Sequence, residues 1–287
     1  MPDDDLRFNP DGLGKWTDPT EFDVTADKIA AYAAATNDPI AEHRTGETAS
    51  PVFAIVPVFE SLMEPALGVV PLELLGKVVH AGHDFRFHRP IRAGDRLVAR
   101  TKMDGYRGGA KGTVGSGIIK TLGNDGELVN TQVATLFVRG FDAGEAVGDV
   151  APANPLDERL RDQAPVAKVV QHIDDDQTFR YSEAAGDPMP IHLDEEFAKA
   201  TGLPGIIAHG MCTLAFASWA VLTEVGGSDT ARLRRLAVRF AKPVLPGREI
   251  ETTVWNVDTA NDVTTYAFET TQGGIVVLTD GIAEITN

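Results

Sequence analysis

The sequence predicts an α+β fold built from two tandem copies of one unit, each a long apolar helix followed by a curved antiparallel sheet. Three observations carry this prediction. The chain repeats itself: Phe85-Arg-Phe-His-Arg-Pro-Ile-Arg-Ala-Gly-Asp95 matches Val238-Arg-Phe-Ala-Lys-Pro-Val-Leu-Pro-Gly-Arg248 at an offset of 153, and Thr36-Asn-Asp-Pro39 matches Ala185-Gly-Asp-Pro188 at an offset of 149. A period of half the chain means two copies of one domain, not a solenoid. The run Gly210–Val225 is apolar almost all round (Met211, Leu214, Ala215, Phe216, Trp219, Val221, Leu222), so a helix there must be buried. Each half then continues into β-rich runs separated by turn signals.

In the first half, Asp23 to Ala35 carries Ile29, Tyr32 and Ala33 at helical spacing. A loop, Asn37 to Ser50, leads into Pro51–Val70, an apolar stretch of helical length. Pro57 suits the first turn of such a helix, where its missing N–H costs nothing. Strands are expected over Val78–His88, Arg96–Tyr106, Gly112–Leu122 and Leu128–Val138, with turns at Ala93-Gly-Asp95 and Asn124-Asp-Gly126. Residues 141–163, rich in Gly, Ala, Asp and Pro, read as a linker between repeats 1–140 and 164–287. In the second half, helices are expected over Asp174–Glu183, Glu195–Ala200 (capped by Asp194) and Gly210–Val225. Strands follow near Leu233–Ala241, Glu249–Val257, Val263–Thr271 and Ile275–Ile285. Leu236, Val238 and Phe240 alternate with Ala237, Arg239 and Ala241, as in a half-buried strand.

Composition narrows the function classes. The net charge is −16, which argues against a nucleic-acid partner. Cys212 is the only cysteine, so no internal disulfide forms, and its apolar neighbours mark it as a core residue rather than a nucleophile. No apolar run reaches transmembrane length. The acidic start MPDDDLRF is unlike a signal peptide and the end EITN is not a peroxisomal address, so the cytoplasm is the expected location. His80, His83 and His88 fall on one expected strand at spacings that scatter them over both faces, so no metal site is expected.

The densest chemistry lies in residues 181–213, YSEAAGDPMPIHLDEEFAKATGLPGIIAHGMCT. Pro188 and Pro190 forbid a regular helix between Asp187 and His192, so a stiff loop holds this carboxylate and imidazole. His209-Gly210 then opens the apolar helix, where bare N–H groups favour an anionic oxygen. Asp187-Pro-Met-Pro-Ile-His192 resembles the Gly-Asp-x-Asn-Pro-Ile/Leu-His signature of the MaoC-like, (R)-specific enoyl-CoA hydratases, and Ala208-His209-Gly210-Met211 resembles the start of that family's central helix. Met189 stands where the family has Asn.

The resemblance implies a double hot-dog fold, in which each sheet wraps its helix and the halves pair edge to edge as a pseudo-dimeric monomer, or a homodimer of such chains. It implies a hydro-lyase of fatty-acid metabolism that acts on acyl-CoA, with no cofactor. His192 would activate water, Asp187 would serve C2 and the Gly210 N–H would hold the thioester oxygen. Tyr181, His209, Met189, Arg239 and Lys242 are the candidate substrate contacts, the last two by charge toward CoA phosphates. Alternatives are a 3-hydroxyacyl dehydratase serving acyl-carrier-protein thioesters, a non-catalytic acyl-CoA-binding subunit and, more weakly, a thioesterase. In the first half Asp38 and His43 keep the same Asp-to-His spacing, but Pro57 falls where the second half has Gly210. A proline offers no N–H to an oxyanion, so that half is expected to be inactive.

Overall fold

A computed structural model describes residues 6–59 and 61–287. The residues Met1–Asp5 of the acidic start, and Glu60, lie outside the described residues. The first half contains strand β1 (Thr20–Asp23), helices α1 (Ala26–Ala35) and α2 (Ala41–Arg44), a 3₁₀ helix Pro51–Val58 and helix α3 (Glu64–Leu67). Strands β2 (Val78–Phe87), β3 (Arg96–Arg107), β4 (Gly112–Leu122), β5 (Leu128–Arg139) and the two-residue β6 (Val147–Gly148) follow. The second half contains β7 (Ala167–Ile173), α4 (Gln177–Ala185), α5 (Glu195–Ala200), α6 (Gly210–Val225) and strands β8 (Leu233–Phe240), β9 (Arg248–Ala260), β10 (Val263–Gln272) and β11 (Ile275–Thr286).

The strands form one antiparallel sheet in the order β1-β3-β4-β5-β2-β8-β11-β10-β9-β7. The halves meet where β2 pairs with β8, Gly82 opposite Arg239 and Arg86 opposite Arg235, so neither repeat leaves that edge open. Arg235 ties the junction through Asp84 at 2.7 Å. A single cluster of buried side chains draws on both halves, among them Tyr32, Phe53 and Phe85 with Tyr181, Phe216 and Phe268. Trp219 Nε1 donates to the Thr36 carbonyl at 3.1 Å, and Arg180 donates to the Ala34 carbonyl at 3.0 Å. Among the described residues no helix is long and apolar enough to cross a membrane.

α6 spans the expected residues, and four strands of each half fall within a few residues of expectation. Three expectations are corrected. The edge strands β1, four residues long, and β7, seven residues long, stand directly before helix starts where no strand is expected. The stretch Pro51–Val70 is not one helix. It is a 3₁₀ segment through Val58 and then a single turn, α3. Pro57 lies inside that segment, where it removes a backbone donor and crowds the preceding turn, so the helix does not survive it. Within residues 141–163, Val147–Gly148 pairs with β3, and Arg161 pairs with the buried Glu269 carboxylate at 2.7 Å. Finally, a register shift between His80 and Gly82 inserts an extra residue into β2. That bulge re-aims the side chains, so His80 and His83 share one side and their ring nitrogens stand 3.1 Å apart.

Candidate active site

α4 ends on Gly186, whose φ of 73° gives the left-handed cap that turns the chain sharply. The turn delivers Asp187, whose backbone is held by Ser182: the Asp187 N–H donates to the Ser182 carbonyl and Ser182 Oγ donates to the Asp187 carbonyl at 2.6 Å. Asp187 Oδ1 accepts from the Met189 N–H at 3.1 Å, an Asx turn that fixes the carboxylate's rotamer. Pro190 then opens a 3₁₀ turn, Pro190–His192, that carries His192 inward.

Asp187 and His192 are both 8% exposed. Burial raises the Asp187 carboxyl to about 6, and the Met189 N–H pulls against that shift. Burial lowers His192, with the Ile207 carbonyl acting in the opposite sense. His192 Nδ1 lies 2.8 Å from the Ile207 carbonyl oxygen. A carbonyl only accepts, so Nδ1 carries the hydrogen and Nε2 presents a lone pair. A raised acid and a lowered base approach each other in strength, which suits a pair that must exchange protons with one substrate.

His209 completes the cluster. Its ring stacks on His192 with centroids 3.8 Å apart, and Tyr181 flanks its ring at 4.8 Å. His209 Nε2 is 3.3 Å from the Asp187 carbonyl and 3.8 Å from Asp187 Oδ2. Burial lowers His209 to about 3, so it stays neutral. Tyr181 is buried and its hydroxyl meets that of Tyr32 at 3.3 Å, which places it behind His209 as a core aromatic joining the halves. Donor atoms of Asp187, His192 and His209 lie within 4.8 Å of one another. The stack fits a cation poorly, because two imidazoles sharing an ion at ~2.1 Å spread their ring centres to about 4.5 Å or more.

Gly210 is the first residue of α6, so its N–H has no partner within the helix. A Cβ there would stand 3.1 Å from the Phe240 ring, so a side chain would crowd β8. The structure brings Asp187, His192, His209, Gly210 and Tyr181 together. Met189 is 50% exposed at the rim of the loop. Arg239 is not brought to the cluster: it alternates with Phe240 onto the opposite face of β8, where it pairs with Asp280 at 2.7 Å. Lys242 is exposed in the loop after β8, without a contact to the cluster. Sequence reasoning missed the Ile207 carbonyl as the orienting group for His192, since a backbone acceptor leaves no signal in residue identity. It also missed the stack of His209 on His192.

Known proteins share this arrangement of sequence and fold. Residues 158–277 match a family model described as a MaoC-like domain, and residues 12–135 match one described as a FAS1-like dehydratase domain region. The 3-hydroxyacyl-thioester dehydratase Y of Mycobacterium tuberculosis is 28% identical over 97% of this chain and 99% of its own. Dehydratase X of the same organism is 30% identical over 78% of this chain and 74% of its own. A probable enoyl-CoA hydratase 2 of Dictyostelium discoideum is 35% identical over 56% of this chain and 54% of its own. Among solved structures, a MaoC-like dehydratase from Phytophthora capsici superposes with a TM-score of 0.81 at 20% identity, covering 95% of each chain. A Mycobacterium tuberculosis protein described as a double hot-dog fold superposes with a TM-score of 0.61 at 14% identity, covering 96% of each. From the Asp187–His192 loop, the helix that Gly210 opens and these matches over both halves, the chain belongs to the MaoC-like dehydratase family in its double hot-dog form.

Proposed function

We propose that the chain is a hydro-lyase that adds water reversibly across the C2=C3 bond of trans-2-enoyl thioesters, giving (R)-3-hydroxyacyl thioesters. The observation that carries this reading is the free Nε2 of His192 beside a buried, weakly acidic carboxyl at the start of α6. In hydration, His192 Nε2 takes a proton from water while the water oxygen bonds to C3. Protonated Asp187 delivers a proton to C2, and the Gly210 N–H at the positive end of α6 holds the thioester oxygen as charge develops there. The proton on His192 then returns to Asp187, which resets both groups. Water and thioester balance the reaction, so it needs no oxidant or reductant. Relatives named hydratase and dehydratase support this chemistry.

Residues 164–287 would carry the site, and residues 1–140 would wall the acyl chain. A small cavity lined by Leu62, Pro65, Met103, Gly117, Ala134 and Leu136 lies in that half. The thioester carrier is coenzyme A in this reading, with an acyl carrier protein as the alternative. The test is the change in enoyl absorbance with crotonyl-CoA and with crotonyl-carrier protein, followed by stereochemical analysis of the product. Failure to hydrate either would sink the reading, and an (S) product would reverse the assigned face of attack.

A further inference from the structure

The two halves share one Asp-to-His spacing but adopt two geometries. In the first half, Asp38 Oδ2 and His43 Nδ1 bond directly at 2.7 Å, and Thr230 Oγ1 caps His43 Nε2 at 2.7 Å. In the second half, His192 Nδ1 instead takes the Ile207 carbonyl at 2.8 Å. Aligning Pro51 with Pro204 sets Ala54 opposite Ile207 and Val56 opposite His209. The Ala54 carbonyl accepts from Gln132 Nε2 at 2.8 Å, and neither ring nitrogen of His43 turns to it. At the other aligned position, valine stands where the second half has a flat ring that touches both His192 and Asp187.

We propose that His209 is a positioning residue that holds Asp187 and His192 apart. A carboxyl and an imidazole in a buried, low-dielectric site attract strongly, and direct pairing would tie up the carboxyl that must serve C2. The His209 ring lies flat on one face of the His192 ring, 3.8 Å away, and so fixes its tilt, which keeps His192 on the Ile207 carbonyl instead of closing onto the Asp187 carboxylate within 4.8 Å. The stacked face is what the proposal needs; of the two ring nitrogens, Nε2 meets the Asp187 carbonyl at 3.3 Å and so anchors the ring to the loop. His209 Nδ1 is buried without a hydrogen-bond partner, a cost that an apolar side chain such as the aligned Val56 avoids. Tyr181, fully buried, also packs on the His209 ring at 4.8 Å and limits its movement.

The proposal rests on the hydratase reading only for its kinetic arm. H209V converts the position to its first-half counterpart, and H209F restores a flat face without either nitrogen. H209V is expected to lower kcat on crotonyl-CoA by about 10²-fold while leaving KM nearly unchanged, as for a misplaced catalytic pair. H209F is expected to recover to within about tenfold of the parent, because the spacer is restored. Nitrogen-15 spectra of the His192 ring in the free protein read the geometry whether or not the enzyme turns over. In H209V the Nδ1 proton should move from a carbonyl bond to a carboxylate bond, with a strong downfield shift, and in H209F it should not. If valine prevents folding, H209L replaces it. An unchanged His192 spectrum in the valine or leucine variant, or a phenylalanine variant no better than either, would overturn the proposal. A parent that hydrates no thioester leaves the spectra to decide His209 and counts against the hydratase reading alone.

Discussion

Asp187 is a costly residue to bury. Its folded pKa of about 6 lies above the 3.8 of a free aspartate, so between those values the folded state binds more protons than the unfolded. The sign follows: this contribution favours folding below pH 4 and is lost as pH rises through 6. Asp187→Asn should therefore be more stable than the parent above pH 6, by about 2–3 kcal/mol, with the gap closing toward pH 4. Urea midpoints of both proteins at pH 7.5 and pH 4.5 check it, and equal gaps at both values would remove burial as the cause. The same variant, and His192→Gln, should each lose about 10²–10⁴ in turnover, and the double variant far less than the product of the two. Steady-state rates on a hydrated thioester decide this. Met189→Asn should hold or raise activity and leave stability near the parent's, since Met189 is half exposed and contributes only its backbone N–H to Asp187. A collapsed melting temperature would show packing that its exposure does not suggest.

At the scale of elements, α6 and the segment Pro51–Val58 are aligned yet differ in kind. α6 opens with Gly210 and runs 16 residues without proline, so its first N–H groups point into the site. Its counterpart contains Pro57 and stops as a 3₁₀ helix. The Asp38–His43 pair beside it is closed on itself and fully buried, which makes it part of the scaffold. Asp38→Asn and His43→Gln should therefore destabilise by about 1–3 kcal/mol, as buried hydrogen bonds are mismatched. Turnover per folded molecule should stay near the parent's. Rates normalised to the folded fraction test this, and loss of half the turnover in a well-folded variant would restore the first half as a second site.

For the whole molecule, the core is continuous across the β2–β8 junction, with Tyr32 against Tyr181 and Trp219 bonded to the first half. A fragment of residues 158–287 would expose that core and the β8 edge. It should be insoluble or self-associate, and a folded monomer seen by sedimentation and circular dichroism would contradict the shared core. Acid should act on the whole fold as well. Burial lowers His192 and His83, brings His80 to about 4 and His209 to about 3. These groups favour folding above pH 6.5, and that contribution is lost as pH falls toward 4. Four imidazoles outweigh the opposite trend of Asp187, so the urea midpoint should drop between pH 7 and pH 4.5.

The sequence by itself determined the repeat, the apolar helix from Gly210 to Val225, the positions of four strands in each half and the Asp187–His192 loop. All of these are local signals: periodicity, proline and glycine chemistry, and turns that a short window of residues dictates. Tertiary structure decided what those signals could not. Only the structure shows that the helical segment starts at Pro51, which puts Pro57 inside it rather than in its first turn. An extra residue in β2 turned His80 toward His83, a shift visible only in the pairing with β5. The same Asp-to-His spacing became a directly bonded, buried pair in one half and, in the other, the unbonded pair proposed to be catalytic. The spacing is identical, so the difference lies in neighbours distant in sequence: the Ile207 carbonyl on His192, Thr230 on His43, and the ring of His209 stacked on His192.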